Sequence, residues 1–133
     1  MKRVVLFLLG SISLLSCKKE EKICKDAICT MEVRSIGLVL RTAQGVLPPS
    51  VDYCKTYLNG RLLETGTVQV EGSNCLVRVL DDSHRTDFTL NKEQSIQVRI
   101  FQQGVMTQEV SMGILADCCH INRLWGVDTV TVQ

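Results

Sequence analysis

Two adjacent cysteines, Cys118 and Cys119, constrain this chain more than any other feature. Neighbouring Cα atoms across a trans peptide stand about 3.8 Å apart, whereas a disulfide usually needs about 4.4–6.8 Å. A bond between the two is therefore disfavoured. In extended backbone their side chains leave on opposite faces and need separate partners. Cys24, Cys29, Cys54 and Cys75 complete a set of six, for which fifteen pairings exist. Cys24 and Cys29 lie five apart, so an extended segment turns them to opposite faces as well. The simplest arrangement ties Cys24 and Cys29 to Cys118 and Cys119, one bridge per face, and leaves Cys54 and Cys75 for each other. All six are expected in structural disulfides, each closing a long loop and contributing about 3–5 kcal/mol on a chain-entropy account that is itself debated.

The seventh cysteine, Cys17, has a different setting. Lys2 and Arg3 precede a mainly apolar run from Val4 to Leu15, too short to span a bilayer as a mature helix. A basic tip, a short apolar stretch and a small residue at its end make a secretory signal. Leu14-Leu15-Ser16-Cys17 resembles a lipobox, at which a bacterial lipoprotein's cysteine is acylated and becomes the first mature residue. Each buried methylene contributes about 0.8 kcal/mol, and more than one chain gives durable anchoring. Residues 1–16 are thus expected to be cleaved, residues 17–28 to form the lipidated cysteine and its tether, and residues 29–133 to form the domain. Lys18-Lys19-Glu20-Glu21-Lys22 is a solvated spacer, and it resembles the lysine-plus-acidic export signal of surface lipoproteins of Bacteroidota. That resemblance implies attachment to the outer membrane, surface-exposed in preference to periplasm-facing. Either location is oxidising, which suits a disulfide framework.

Cleavage leaves 117 residues with 13 basic and 14 acidic side chains. That is one compact domain, and it has no basic excess to attract nucleic acid. Apolar residues recur with period two: Ile36/Leu38/Leu40, Val51/Tyr53, Val68/Val70, Val77/Val79, Ile96/Val98/Ile100 and Val130/Val132. Turn signals separate them, including Gln44-Gly45, Pro48-Pro49-Ser50, Gly72-Ser73-Asn74 and Gln103-Gly104. Asn59-Gly60 suits a type I′ hairpin, in which both central residues take positive φ. Only Val110–Leu124 offers a helical alternative, weakened by Gly113 and the cysteine pair. Six to eight short strands at such spacing predict an all-β fold, a single antiparallel β-sandwich.

Candidates for chemistry are few. Asp81, Asp82, Ser83, His84 and Asp87 share one polar stretch. A hydrolase draws its nucleophile, base and orienting group from different elements, so this reads as a solvated turn. The aspartates do not have the spacing of a calcium loop. His120 reads as a half-buried ring bonded to backbone, and Trp125 as rim or core packing. Cys118-Cys119-His120, with Cys24 and Cys29, offers zinc-capable ligand types without the usual spacing. No C-x-x-C redox motif, phosphate loop or dinucleotide fingerprint occurs. No catalytic residue, metal site or cofactor is expected.

Ala116-Asp117-Cys118-Cys119-His120-Ile121, with Gly126, the strand Thr129–Val132 and the upstream Cys29-Thr30, is similar to small Bacteroidota lipoproteins. Those pair a Cys-Thr with a late Asp-Cys-Cys-His. The resemblance spans most of the mature chain and implies an immunoglobulin-like or transthyretin-like domain, disulfide-braced, membrane-tethered and without established catalysis. The pair Cys54 and Cys75 lies outside that pattern. The expected function is that of a non-enzymatic membrane-anchored lipoprotein. It would be a binding or accessory module of an outer-membrane or cell-surface assembly, partnered by the membrane through Cys17 and by another envelope protein. The alternatives are a metal- or thiol-dependent function at Cys118, Cys119 and His120, and a glycan-binding module using Trp125.

Overall fold

The computed structural model describes residues 23–44, 51–72 and 74–133. The signal segment, Cys17, the Lys18–Lys22 cluster, Gly45, the Pro48-Pro49-Ser50 turn and Ser73 lie outside them. The fold is all-β: one sheet of eight strands in the order β7-β6-β5-β2-β3-β4-β1-β8. In chain order these are β1 (Ser35–Arg41), β2 (Val51–Leu58), β3 (Arg61–Glu71), β4 (Asn74–Asp81), β5 (Glu93–Gln102), β6 (Val105–Ala116), β7 (Ile121–Trp125) and β8 (Thr129–Thr131). The segment with helical potential is strand, divided between β6 and β7. Among the described residues, the helical stretch between strands is a short 3-10 turn, Asp82–Asp87, on the polar stretch singled out above.

The hairpin turns form where the sequence places them. Asn59 and Gly60 have φ of 51° and 80°, and Gln103 and Gly104 have φ of 51° and 75°, the positive pair that a two-residue hairpin needs to match strand twist. Among the described strands every pairing is antiparallel except that of β8, which runs parallel to β1; an isolated parallel bridge joins Leu90 to Ala116. Strand alternation turns Ile36, Leu38 and Leu40 inward from β1, Val77 and Val79 from β4, and Ile96, Val98 and Ile100 from β5. Met112 and Ile114 from β6 and Val130 from β8 join them. Full burial of each such side chain favours folding by about 1.5–3 kcal/mol.

The sheet turns back on itself. β3 is 11 residues long; Arg61–Thr67 pairs with β2 and Val68–Glu71 with β4. At the changeover stands Gly66, where a Cβ would collide with the Arg78 carbonyl of β4. Across this bend the two neighbours of β3 touch each other: the buried Thr56 hydroxyl of β2 donates to the Val79 carbonyl at 2.9 Å. At the far ends, edge strands β7 and β8 are joined by residues 126–128 alone. Four residue steps span at most about 14 Å, so the end of β7 and the start of β8 lie close. Val39 N–H of β1 donates to the Asp128 carbonyl at 2.8 Å and holds the lead into β8 beside β1.

This topology corrects one expectation. Cys54 and Cys75 are not bridged; both are buried thiols. Cys54 on β2 lies opposite Gly66 of β3, and Cys75 on β4 lies opposite Val70. The four residues between those register points cover about 13 Å of strand, on opposite sides of β3, well beyond disulfide reach. Burial pushes the Cys54 thiol up to about 11 and raises that of Cys75, so neither supplies a thiolate near neutrality.

Candidate functional site

The sequence Asp117-Cys118-Cys119-His120 forms the turn between β6 and β7. Asp117 organises it: its Oδ1 accepts the N–H of Cys119 at 2.8 Å and of His120 at 2.7 Å, and its Oδ2 accepts the Asn122 amide at 2.9 Å. This is the local side-chain-to-backbone bonding that makes aspartate a turn residue. Burial would raise the Asp117 carboxyl, but these three donors outweigh it and hold the group below its ordinary value. The turn holds Cys118 and Cys119 where each can meet its own partner. Cys24 bonds Cys118 and Cys29 bonds Cys119, with Cα–Cα distances of 5.4 and 5.2 Å. The segment from Ile23 to Arg34, which has no strand partner and is largely exposed, is thus bound covalently to the β6–β7 turn.

His120 continues the clamp inward. Its Nδ1 lies 2.7 Å from Asp82 Oδ2, and its Nε2 lies 3.2 Å from the Thr30 hydroxyl. Asp82, the first residue of the 3-10 turn, also accepts the Arg34 N–H at 2.7 Å and the Ile121 N–H at 2.9 Å. Burial again acts to raise this carboxyl, and the bonds from Arg34, His120 and Ile121 overcome it, leaving Asp82 below its usual range. An ionised carboxylate only accepts, so the proton on the Asp82 side belongs to Nδ1. Three segments meet here: the N-terminal strap through Thr30 and Arg34, the turn after β4 through Asp82, and the β6–β7 turn through His120 and Ile121.

The polar stretch after β4 divides its members. Asp82 reaches across to His120. Asp81 stays local, capping the turn through the Ser83 N–H at 3.0 Å, and its carboxyl is lowered chiefly by the Ser83 hydroxyl. His84 turns the other way, with Nε2 3.2 Å from the Leu63 carbonyl, and Asp87 pairs with Arg61 at 2.8 Å. The sequence marked both Asp82 and His120 but gave no sign that they meet, since 38 residues separate them. Thr30 carried no signal of its own beyond its place after Cys29.

Chemically, hydroxyl, imidazole and carboxylate stand in the order of a general-base relay. Such a relay acts on a carbonyl only with donors aimed at the developing oxyanion. The N–H groups of Cys119 and His120 are already given to Asp117. His120 itself is 7% exposed. The sulfurs of Cys118 and Cys119 are disulfide-bonded and are not thiolate ligands in this form. Among the described residues no group of three or more His, Cys, Asp and Glu side chains is placed to hold a metal ion.

Trp125 sits at the rim. Its ring covers Gly113, where a Cβ would collide with it. Its Nε1 donates to Glu93 at 2.6 Å, and the side chain stays 44% exposed. No protein-family model, curated protein or solved structure matches this chain.

Proposed function

We propose that the chain is a non-enzymatic lipoprotein, anchored to the outer membrane through acyl chains on Cys17 and surface-exposed in preference to periplasm-facing. Its β-domain, a sheet folded into an immunoglobulin-like or transthyretin-like sandwich, serves as a binding or accessory module for another envelope component. The observation that carries this reading is the double bridge Cys24–Cys118 and Cys29–Cys119. It fastens the stretch directly after the proposed lipid attachment point to the folded domain. A pull on the tether therefore enters through two covalent bonds rather than by peeling an unpaired segment away. The lipobox-like Leu14-Leu15-Ser16-Cys17 supports the anchor. The prior use of the Cys119 and His120 N–H groups supports a structural, not catalytic, role for the Thr30–His120–Asp82 chain. Tethering raises the module's effective concentration near membrane partners, so affinity for any one can be modest.

The test is metabolic labelling with palmitate in a bacterial host that has a lipoprotein-processing pathway. The full-length chain should incorporate label and fractionate with the outer membrane. Cys17→Ser should abolish both while leaving the fold intact. Equal labelling of wild type and Cys17→Ser, or labelling of neither, would overturn the anchor.

A further inference from the structure

The core of this domain is aliphatic and its aromatic side chains are outside, the reverse of the usual placement of large apolar rings. Of the five described aromatic residues only Phe88 belongs to the core. Strand register places the other four on one face. Ile96, Val98 and Ile100 point inward from β5, so Ser95, Gln97, Arg99 and Phe101 point outward. On β2, Tyr57, Lys55 and Tyr53 lie opposite Gln97, Arg99 and Phe101. On the other side Ser95 lies opposite Gly113, which lies opposite Trp125. Tyr53 and Phe101 stack with centroids 4.9 Å apart. Lys55 Nζ lies 5.6 and 5.4 Å from those two rings, and the Arg99 guanidinium lies 4.5 Å from that of Tyr57.

The two cations differ. Arg99 is matched by Glu109 at 2.7 Å. Lys55 has no carboxylate at ion-pair distance among the described residues. The face therefore offers π surfaces, hydroxyl and amide groups and, among the described residues, two charges without an ion-pair partner: Lys55 beside the Tyr53–Phe101 stack, and Glu93 at the opposite end, where it accepts from Trp125. We propose that this outer face of β2, β5 and β6 binds an acidic polysaccharide. The C–H faces of sugar rings would lie on the negative faces of the aromatic rings, with a carboxylate or sulfate at Lys55. A nucleic acid fits less well, since phosphate binding draws on many cations and not one. The Lys55 end of the face lies far from the clamp: Phe101 is eight residues along β5 from Glu93, about 27 Å of strand, whereas Trp125 stands at the Glu93 end.

This names a ligand for the binding-module reading and rests on that reading, but not on the lipid anchor. The experiment is affinity electrophoresis of the full-length protein in detergent through gels containing polygalacturonate, with its methyl ester as the uncharged counterpart. Fluorescence of the single tryptophan reports the same binding in solution. Retardation by polygalacturonate and not by the ester is expected. Tyr53→Leu, which keeps apolar bulk but removes the π face, and Trp125→Ala should each weaken it roughly fivefold. Lys55→Gln should weaken it at least as much, while Lys92→Gln, an exposed cation off this face, should not. No retardation by polygalacturonate or heparin would overturn the proposal. So would retardation that survives Tyr53→Leu and Lys55→Gln, or a loss on Lys92→Gln equal to that on Lys55→Gln. An anchored protein that binds neither polymer loses this inference alone; a binding protein without acyl chains loses only the anchor.

Discussion

The clamp end and the middle of the sheet use the same residue type in opposite ways. At the clamp, cysteines are bonded in pairs and surrounded by charge-assisted hydrogen bonds. In the sheet, Cys54 and Cys75 are small apolar fillers, buried and unbonded. The difference follows from what each region can bury. Residues 23–34 carry Ile28 and Met31 almost fully exposed and contribute nothing to the core. Without apolar burial, only covalent links and polar bonds can hold that segment. The sheet has aliphatic burial along most of its strands and needs no bridge.

The largest break in this contrast is removal of both bridges. Cys118→Ser with Cys119→Ser should cost about 6 kcal/mol by chain entropy, since loops of 94 and 90 residues reopen. Either serine substitution alone should cost only about 2 kcal/mol, because the surviving bridge still closes the long loop. Denaturant unfolding of the three variants measures this, and strict additivity would contradict two bridges acting on one closure. Next in size is Asp82→Ala. It strips the partner from His120 and from the Arg34 and Ile121 N–H groups, and should cost about 3 kcal/mol. A loss below about 1 kcal/mol by the same measurement would make the network ornamental.

A pH titration of stability sharpens the contrast further. The carboxyls of Asp82 and Asp117 are lowered in the folded state. Their contribution is present above the unfolded aspartate value, near 3.9, and disappears as pH falls through the folded values. Thermal melting from pH 6 to pH 2 should show that acid loss, and Asp82→Asn should flatten it. The smallest effects belong to the sheet cysteines. Cys54→Ala and Cys75→Ala should each cost about 1 kcal/mol, the loss of one small buried group. Neither change should alter the clamp, which retention of both bridges under non-reducing peptide mapping would verify.

Much of the framework was legible in the sequence because its signals are local. Period-two runs marked strands, Asn59-Gly60 marked a hairpin and Gln103-Gly104 a turn. The disfavoured geometry of a Cys118–Cys119 bond pointed both toward the N-terminal pair. What was hidden depends on strand order. Alternation turns Cys54 and Cys75 inward, yet it does not reveal that β3 lies between their strands and offsets them by four residues. The partnership of Asp82 with His120, and the gathering of Tyr53, Tyr57, Phe101 and Trp125 on one face, are likewise consequences of which strands are neighbours. β3 was only half visible, because its Arg61–Thr67 stretch is largely exposed and carries little apolar alternation.

The central claim is that covalent bracing is confined to the clamp. It is tested most directly by counting thiols in the Cys17→Ser protein, secreted through an oxidising compartment and never reduced. The account predicts no reactive thiol in the native state and two after denaturation, mapped to Cys54 and Cys75. No thiol after denaturation would place a third bridge inside the sheet, and thiols at Cys24, Cys29, Cys118 or Cys119 would remove the clamp; either result would contradict the account.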